Sequence, residues 1–225
     1  MSADWDAGKT SMKDRRPIRL RGNAWVKATA AWLVGQGIQP NQVSVLSVLF
    51  STLSSICLFL TVPLARPWAI AAYITAAACI PIRGLCNLCD GLMAVEGGLK
   101  TKSGAIFNDL PDRVSDPLLL VAAGYSIIGV DWGRDLGWAA ALLAVMTAYV
   151  RVLGGSAGAA QQFCGPMDKS ARMAVVLVAC LMAAVELALG RNPHAMVPAL
   201  CIVLLGCAIT VVRRTRRILR ELEAK

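Results

Sequence analysis

The sequence predicts an all-α, polytopic membrane protein with six transmembrane helices and an N-terminal amphipathic helix that lies in the membrane interface. The first reason is composition: 56% of the 225 residues are hydrophobic and only 16% are charged, whereas an average soluble domain is about 45–50% apolar and about 25% charged. The second reason is patterning, because the apolar residues form six stretches of roughly 20 residues, the length that crosses a bilayer. This composition excludes a disordered chain and argues against a water-soluble globule.

The apolar stretches define the domain organisation. Residues 1–40 are predicted to be a basic cytoplasmic segment, residues 41–212 a six-helix transmembrane domain, and residues 213–225 a basic cytoplasmic tail. The predicted spans are Gln42–Val62, Trp68–Ala94, Ala105–Val130, Leu136–Gly155, Ala171–Gly190 and Ala195–Val212.

The N-terminal segment is predicted to form its interfacial helix over Pro17–Gly35. Trp25 and Trp32 are seven residues apart and therefore share one helix face, while nearby basic residues can reach water or anionic headgroups. A disordered basic tail is the alternative interpretation.

Basic residues predict the orientation in the membrane. Lysines and arginines are concentrated before the first span, after the last span, and in the second and fourth connections. Loops rich in Lys and Arg stay on the cytoplasmic side, so both termini are expected there. We expect a multi-pass protein of a bacterial inner membrane, in contact with membrane lipids. The net charge of +9 lies at the ends of apolar stretches, which argues against nucleic-acid binding.

Four acidic residues lie in the second and third predicted spans. Carboxylates within a membrane are energetically costly and usually functional, so these four indicate a functional site. Asp90 lies at the end of the second predicted span, and Asp109, Asp112 and Asp116 lie in the third. The connection between these spans is short, so both acid groups are expected at similar depth near the cytoplasmic surface. At about 100° per residue, the three acids of the third span fall within about 60° of one helix face.

Two amides extend this polar cluster: Asn87 lies three residues before Asp90, and Asn108 lies at the edge of the acidic face. Carboxylates that converge without compensation repel one another and are driven toward protonation. Oxygen ligands without His or Cys favour Mg²⁺ or Mn²⁺, which commonly keeps substrate phosphates in its coordination shell. The cluster therefore predicts a divalent metal site for a diphosphate, and the alternative is a set of helix caps and boundary charges. The small residues that leave room for a bulky ligand are Gly91, Ala94 and Gly104.

Residues 87–112 resemble the signature of the CDP-alcohol phosphatidyltransferases, D-x2-D-G-x2-A-R-x8-G-x3-D-x3-D. The register matches over its whole length without a gap. The residues that match in identity are Asp90, Gly91, Ala94, Gly104 and Asp112. The resemblance implies a six-span enzyme that transfers a phosphatidyl group from CDP-diacylglycerol to a small alcohol and releases CMP. It further implies two metal ions, a homodimer, and Asp112 as the base that takes the proton of the acceptor hydroxyl.

The signature is a variant. Asn87 and Asn108 replace two family aspartates, and Val95 replaces the family arginine. Because Asn ligates a metal without bringing charge, we interpret Asp109 and Asp116 as replacement ligands. The alternative is an inactive relative of the family.

A second basic group predicts the acceptor site. Lys169 and Arg172 lie three residues apart near a helix N-terminus, a combination that favours an anion, and Arg151 can point the same way. An anionic acceptor such as glycerol 3-phosphate is the first choice, although anchoring by positive charges explains many such residues. Arg83, seven residues before Asp90 on the same face, is either an ion-pair partner of the acids or part of a polar cavity.

Two further functions stay open. One is transfer of a CDP-linked headgroup to a diacylglycerol-type lipid, and the other is a small membrane transporter or a non-catalytic relative. The fixed glycines of the signature argue against a transporter, which has no need of that register.

The topology makes a direct prediction. A cysteine introduced beside Lys100 is expected to resist a membrane-impermeant thiol reagent added from outside, because the connection is cytoplasmic. A matched cysteine beside Arg134, in a predicted outer connection, is expected to react. Labelling at Lys100 from outside contradicts this topology.

Overall fold

The computed structural model describes residues 23–95 and 104–224, which form seven α-helices and contain no strand. The helices are α1 (Ala24–Gly35), α2 (Pro40–Leu60), α3 (Arg66–Val95), α4 (Gly104–Tyr125), α5 (Gly133–Ser156), α6 (Lys169–Ala188) and α7 (Met196–Glu223). Helix α2 packs against α3 and α4, α5 packs against α4 and α7, and α6 packs against α3 and α7.

The length and composition of these helices are consistent with a polytopic membrane protein, as predicted. Among the described residues, five helices are long and apolar enough to cross a membrane, namely α2, α3, α5, α6 and α7. Helix α4 has 22 residues but carries Asp109, Asp112, Arg113 and Asp116 in its first 13 positions. Helix α4, which bears most of the predicted site, therefore carries more charged residues than a simple transmembrane span.

Two helix ends lie far from the predicted ends of the spans, whereas the other ends agree closely. Helix α4 ends at Tyr125 rather than Val130, and the carbonyl of the next residue, Ser126, accepts a hydrogen bond from the Tyr73 hydroxyl at 3.2 Å. Helix α7 continues to Glu223 instead of ending at Val212. The Arg, Leu and Glu residues of this extension are good helix formers and include no Gly or Pro, and the buried Ile218 packs on α5.

Helix α1 covers the described part of the predicted interfacial helix. It begins at Ala24, and residues 17–22 of the prediction lie outside the described ranges. Trp25 and Trp32 are exposed, whereas Val26 and Ala30 are buried against the bundle. Gly37, with φ of +75°, makes the turn into α2, a conformation that glycine adopts without steric cost.

Helix α2 contacts its neighbours through a stripe of five buried serines. Their small side chains allow close helix approach, and three of the hydroxyls donate to groups on other helices. Ser51 Oγ donates to the Ser115 carbonyl at 3.2 Å, and Ser54 Oγ donates to the Ala76 carbonyl at 3.0 Å. The stripe thus fixes α2 against both α3 and α4, the two helices that carry the predicted site.

Helices α4 and α5 meet at a pair of glycines. A Cβ atom on Gly124 would lie 2.7 Å from Gly137 Cα and 2.8 Å from the Gly133 carbonyl oxygen. Both neighbours are backbone atoms, which cannot move aside as a flexible side chain can. This close approach positions the second half of α4.

Gly124→Ala is therefore expected to destabilise the protein by about 1–3 kcal/mol, the usual cost of overpacking a tight contact. The measurement is the unfolding free energy in one fixed detergent. Gly84→Ala is the matched control, because Gly84 is also inside a helix but nothing lies within 4 Å of its added Cβ. If Gly124→Ala leaves the unfolding free energy unchanged, α4 and α5 can move apart at this contact without cost.

Candidate active site

The predicted polar residues come together where α3, α4 and α6 meet. Arg83, Asn87 and Asp90 succeed one another at spacings of four and three residues on α3, so they share a face of that helix. Asp112 and Asp116 are one turn apart on α4. The start of α6 brings a lysine and an arginine to the same place.

Arg83 is the centre of this cluster. It is only 2% exposed, and its Nη2 donates to Asp112 Oδ1 at 2.9 Å, to Ser115 Oγ at 3.2 Å and to Asp116 Oδ1 in a short contact. Its Nη1 lies 3.3 Å from Met173 Sδ on α6. Of the two alternatives that the sequence left open for Arg83, the ion-pair partner is confirmed.

Asp112 is held from three sides. Besides Arg83, its Oδ1 accepts from Asn87 Nδ2 at 3.1 Å, and its Oδ2 accepts from Lys169 Nζ at 2.5 Å. The Lys169 side chain is one-quarter exposed, so it forms the outer wall of the cluster. Asp112 therefore joins α3, α4 and α6 through hydrogen bonds to charged or amide groups.

Asp90 has a different environment. It is 2% exposed, and its Oδ2 accepts from Ser44 Oγ on α2 at 2.5 Å. Its Oδ1 is buried and has no hydrogen-bond partner within residues 23–95 and 104–224. A buried carboxylate oxygen without a partner is costly, so this atom marks a place for a cation or a donor. Ser44 was missed from the sequence, although the serine stripe of α2 was a signal for it.

Asp116 lies deeper and is bound by two arginines. Its Oδ1 accepts from Arg83 and its Oδ2 accepts from Arg172 Nη2 at 3.3 Å. Arg172 is itself buried and donates to Thr147 Oγ1 and the Met167 carbonyl, each at 3.3 Å. Arg172 therefore secures α6 to α5 and α4, and its guanidinium does not face an open pocket.

Asp109 lies at the mouth of the cluster, where its side chain is 47% exposed. It pairs with Arg113 Nη2, one turn later on α4, at 2.5 Å and with Arg151 Nη2 on α5 at 3.2 Å. The Arg151 guanidinium also stacks over the Phe163 ring at 5.4 Å. Although Asp109 and Asp116 share one helical face, the structure gives them separate partners.

The predicted metal ligands are thus only partly assembled by protein atoms. Among the described residues, no group of three or more His, Cys, Asp or Glu side chains lies close enough to hold a metal ion. Asp90 Oδ1 has no partner within the described ranges and Asn87 keeps its carbonyl oxygen, so these two atoms are available to a hard divalent ion. Both Asp112 oxygens already accept from Arg83, Asn87 and Lys169. The Asn108 side chain lies outside the described part of the chain.

Two small residues of the signature, Gly91 and Ala94, follow Asp90 on α3. Nothing lies within 4 Å of a Cβ added to Gly91, so this turn of α3 faces open space, and Ala94 is partly exposed one turn later. Helix α4 begins at Gly104. The predicted room for a ligand is thus present at Gly91.

Asp116→Asn is expected to destabilise the protein by about 3–5 kcal/mol, because it leaves two buried guanidinium groups without their counter-charge. Asp109→Asn is the matched control on the same face, and its half-exposed pairs are expected to contribute less than about 1 kcal/mol. Unfolding of both variants in the same detergent makes the comparison. Equal losses of unfolding free energy in the two variants would contradict the assignment of Asp116 to a buried ion-pair cluster and of Asp109 to a partly exposed one.

The solved structures that resemble this fold include three of the phosphatidylinositol phosphate synthase of Mycobacterium tuberculosis. The structure with manganese and citrate has a TM-score of 0.71 at 19% identity, over 86% of this chain and 88% of that one. The structure with CDP-DAG bound has a TM-score of 0.66 at 21% identity, over 88% and 92%. The apo form has a TM-score of 0.68 at 19% identity, over 85% and 95%.

No protein-family model matches the sequence, and no curated protein sequence is significantly similar to it. The structural likeness nevertheless covers most of both chains. The fold that the variant signature implied, that of the CDP-alcohol phosphatidyltransferases, is the fold of this chain.

Proposed function

We propose that this protein is a CDP-alcohol phosphatidyltransferase that acts in phospholipid biosynthesis. It transfers a phosphatidyl group from CDP-diacylglycerol to the hydroxyl of a small anionic alcohol and releases CMP. The observation that carries the proposal is the hydrogen bond between Asn87 and Asp112, in the register of the signature, one turn of α3 from a buried Asp90 oxygen that has no partner in the described chain. The fold is that of a synthase solved with CDP-DAG and with manganese.

Asn87, Asp90 and Asp112 would hold the divalent ion, Mg²⁺ or Mn²⁺. Bound there, the ion supplies neutralisation of the diphosphate and of the CMP leaving group. The open turn at Gly91 allows the diphosphate to approach the backbone of α3. Ser44 holds the second oxygen of Asp90, which keeps this carboxylate oriented.

We assign to Asp112 the role of accepting the proton of the acceptor hydroxyl. The acceptor oxygen forms a bond to the β-phosphorus as the bond to the CMP oxygen breaks, and the hydroxyl proton passes to the Asp112 carboxylate. Lys169 and Asn87 hold Asp112 in position for this step. The negative charge leaves on CMP, so atoms and charge balance.

An apolar groove beside the site suits a lipid donor. A cavity of about 460 Å³ lies between α1, α2 and α3, lined by Leu33, Val43, Leu46, Leu85 and Cys89 among others. Cys89 adjoins Asp90 in sequence and Val43 adjoins Ser44, so the groove lies on the same turns of α2 and α3 as these two residues. We assign an acyl chain of the donor to it.

The acceptor site is at the mouth, where Lys169 and Arg151 are both partly exposed. These residues provide the positive charge for a phosphate on the acceptor, and glycerol 3-phosphate is the first choice. Arg172 faces inward to Asp116 and Thr147, so we assign it to positioning rather than to acceptor binding.

Helix α4 is proposed as the sixth span, with both termini cytoplasmic and two chains forming a homodimer.

The test is CMP release by purified protein from CDP-diacylglycerol, with and without Mn²⁺, against an acceptor panel. The panel contains glycerol 3-phosphate, an inositol phosphate, their unphosphorylated alcohols, and a diacylglycerol paired with CDP-linked headgroups. Metal-dependent release with a phosphorylated alcohol is expected. Turnover only with diacylglycerol would favour headgroup transfer, and no turnover with any pair would favour a transporter or a non-catalytic relative.

Asp112→Asn is expected to lower turnover by about 10²–10⁴-fold, the usual contribution of a general base, while CDP-diacylglycerol affinity falls less because Asp90 and Asn87 remain. Donor binding and turnover are measured on the same variant. Asp135→Asn, an exposed change in the first turn of α5, is the control and is expected to leave both unchanged. Near-normal turnover of Asp112→Asn would remove it from the mechanism.

A further inference from the structure

We infer that Glu221, near the end of α7, is a positioning residue that sets Arg151 for the phosphate of the acceptor alcohol. It does so by holding the connecting segment, residues 157–168, which joins α5 to α6 without regular secondary structure. The inference rests on the proposed function and concerns the acceptor side of the same site. It is carried by the contacts between α7 and the connecting segment, and by those between that segment and Arg151.

Helix α7 holds the connecting segment along one of its faces. Thr210 Oγ1 accepts from the Met167 main-chain N–H at 3.0 Å, and Arg214 Nε donates to the Cys164 carbonyl at 2.9 Å. Glu221 is the third residue of this face, because positions four and seven residues apart fall within about 40° of one another on a helix. The extension of α7 beyond the predicted last span is therefore a scaffold for the segment.

Glu221 uses both of its carboxylate oxygens on the connecting segment. Its Oε1 accepts from the Ala160 main-chain N–H at 2.7 Å, and its Oε2 accepts from Gln162 Nε2 at 2.9 Å. Gln162 is buried, so loss of the carboxylate would take an acceptor away from a buried amide. Hydrogen bonds to an ionised carboxylate are stronger than those between neutral groups, so this contact fixes the first half of the segment.

The residues on either side of Gln162 contact Arg151. Gln161 Oε1 accepts from Arg151 Nη1 at 3.2 Å, and the Phe163 ring lies 5.4 Å from the Arg151 guanidinium carbon. The side chains thus alternate, with Gln162 on α7 and its two neighbours on α5. Together with Asp109, which pairs with Arg151 Nη2 at 3.2 Å, the two neighbours set the direction of the guanidinium at the mouth.

This arrangement predicts an effect on the acceptor alone. A long arginine side chain that is already held in its binding direction loses less conformational freedom when it binds a phosphate. Without Glu221, Gln161 and Phe163 are no longer held against Arg151, and the guanidinium is free to leave the mouth. Asp90 and Asp112 take their partners from α2, α3 and α6, so donor binding does not depend on Glu221.

The test is equilibrium binding of glycerol 3-phosphate, of an inositol phosphate and of CDP-diacylglycerol to purified protein in one detergent. Glu221→Ala is expected to weaken the tighter-binding phosphorylated alcohol by about 3–30-fold, the usual effect of a lost hydrogen bond, and to leave CDP-diacylglycerol binding unchanged. Glu223→Ala, which removes an exposed carboxylate two residues later, is the matched control and is expected to change neither. Unchanged binding of the alcohol in Glu221→Ala, or equal weakening of alcohol and donor, would overturn the inference. If Glu221→Ala does not fold, Glu221→Gln, which keeps a carbonyl oxygen for Ala160, is measured instead and is expected to weaken only the alcohol.

A double-mutant cycle tests whether Glu221 acts through Arg151. Arg151→Ala is expected to weaken the phosphorylated alcohol, and adding Glu221→Ala to it is expected to weaken binding no further, because the two changes remove one interaction. Additive losses would overturn the inference.

CMP release by the same wild-type preparation keeps the two proposals apart. Release that depends on metal and on a phosphorylated alcohol, with normal alcohol binding in Glu221→Ala, would overturn the inference and leave the proposed function intact. Selective weakening of the alcohol in Glu221→Ala without any CMP release by the wild type would reject the proposed function and support the role of Glu221 in binding. A wild-type protein that binds neither phosphorylated alcohol would overturn the inference.

Discussion

The ion pairs of Arg83 with Asp112 and Asp116 are the interaction on which the rest of the site depends. One guanidinium on α3 binds two carboxylates that are one turn apart on α4, and this contact fixes the rotation of each helix about its own axis. Because all three groups are buried, breaking the contact leaves uncompensated charge and costs several kcal/mol. A helix with this many charged residues is kept in an apolar bundle because the charges meet partners, and those partners define the chemistry.

The residues that pack the bundle also shape the site. The serines of α2 bring this helix close to α3 and α4, and the same stripe places Ser44 on Asp90. At the other end of α4, Gly124 and Gly137 bring α5 close, and α5 carries Arg151 to the mouth. Small residues therefore both pack the helices and position the side chains of the site, because close helix approach allows short side chains to meet across helices.

Sequence reasoning reached the fold and the register because both depend on local patterns. Apolar stretches of fixed length predict spans, and the spacing of Asp90 and Asp112 within the signature predicts their meeting across a hairpin. It did not reach the end of α7, because the basic extension keeps an inward face with Ile218 that only packing on α5 reveals. Nor did it separate Asp109 from Asp116, because the partners that distinguish them lie on other helices: Arg151 on α5 for Asp109, and Arg83 on α3 and Arg172 on α6 for Asp116.

The three aspartates of α4 form a gradient that explains why one of them is suited to proton transfer. The exposed fraction of the side chain falls from 47% at Asp109 to 12% at Asp112 and 4% at Asp116. Asp109 is at the mouth and pairs with arginines near water, while Asp116 is enclosed by two arginines and is out of reach of a substrate. Asp112 lies between them, beside both Asn87 and the partly exposed Lys169. This intermediate exposure is consistent with the proposed role of Asp112 as the acceptor of the hydroxyl proton.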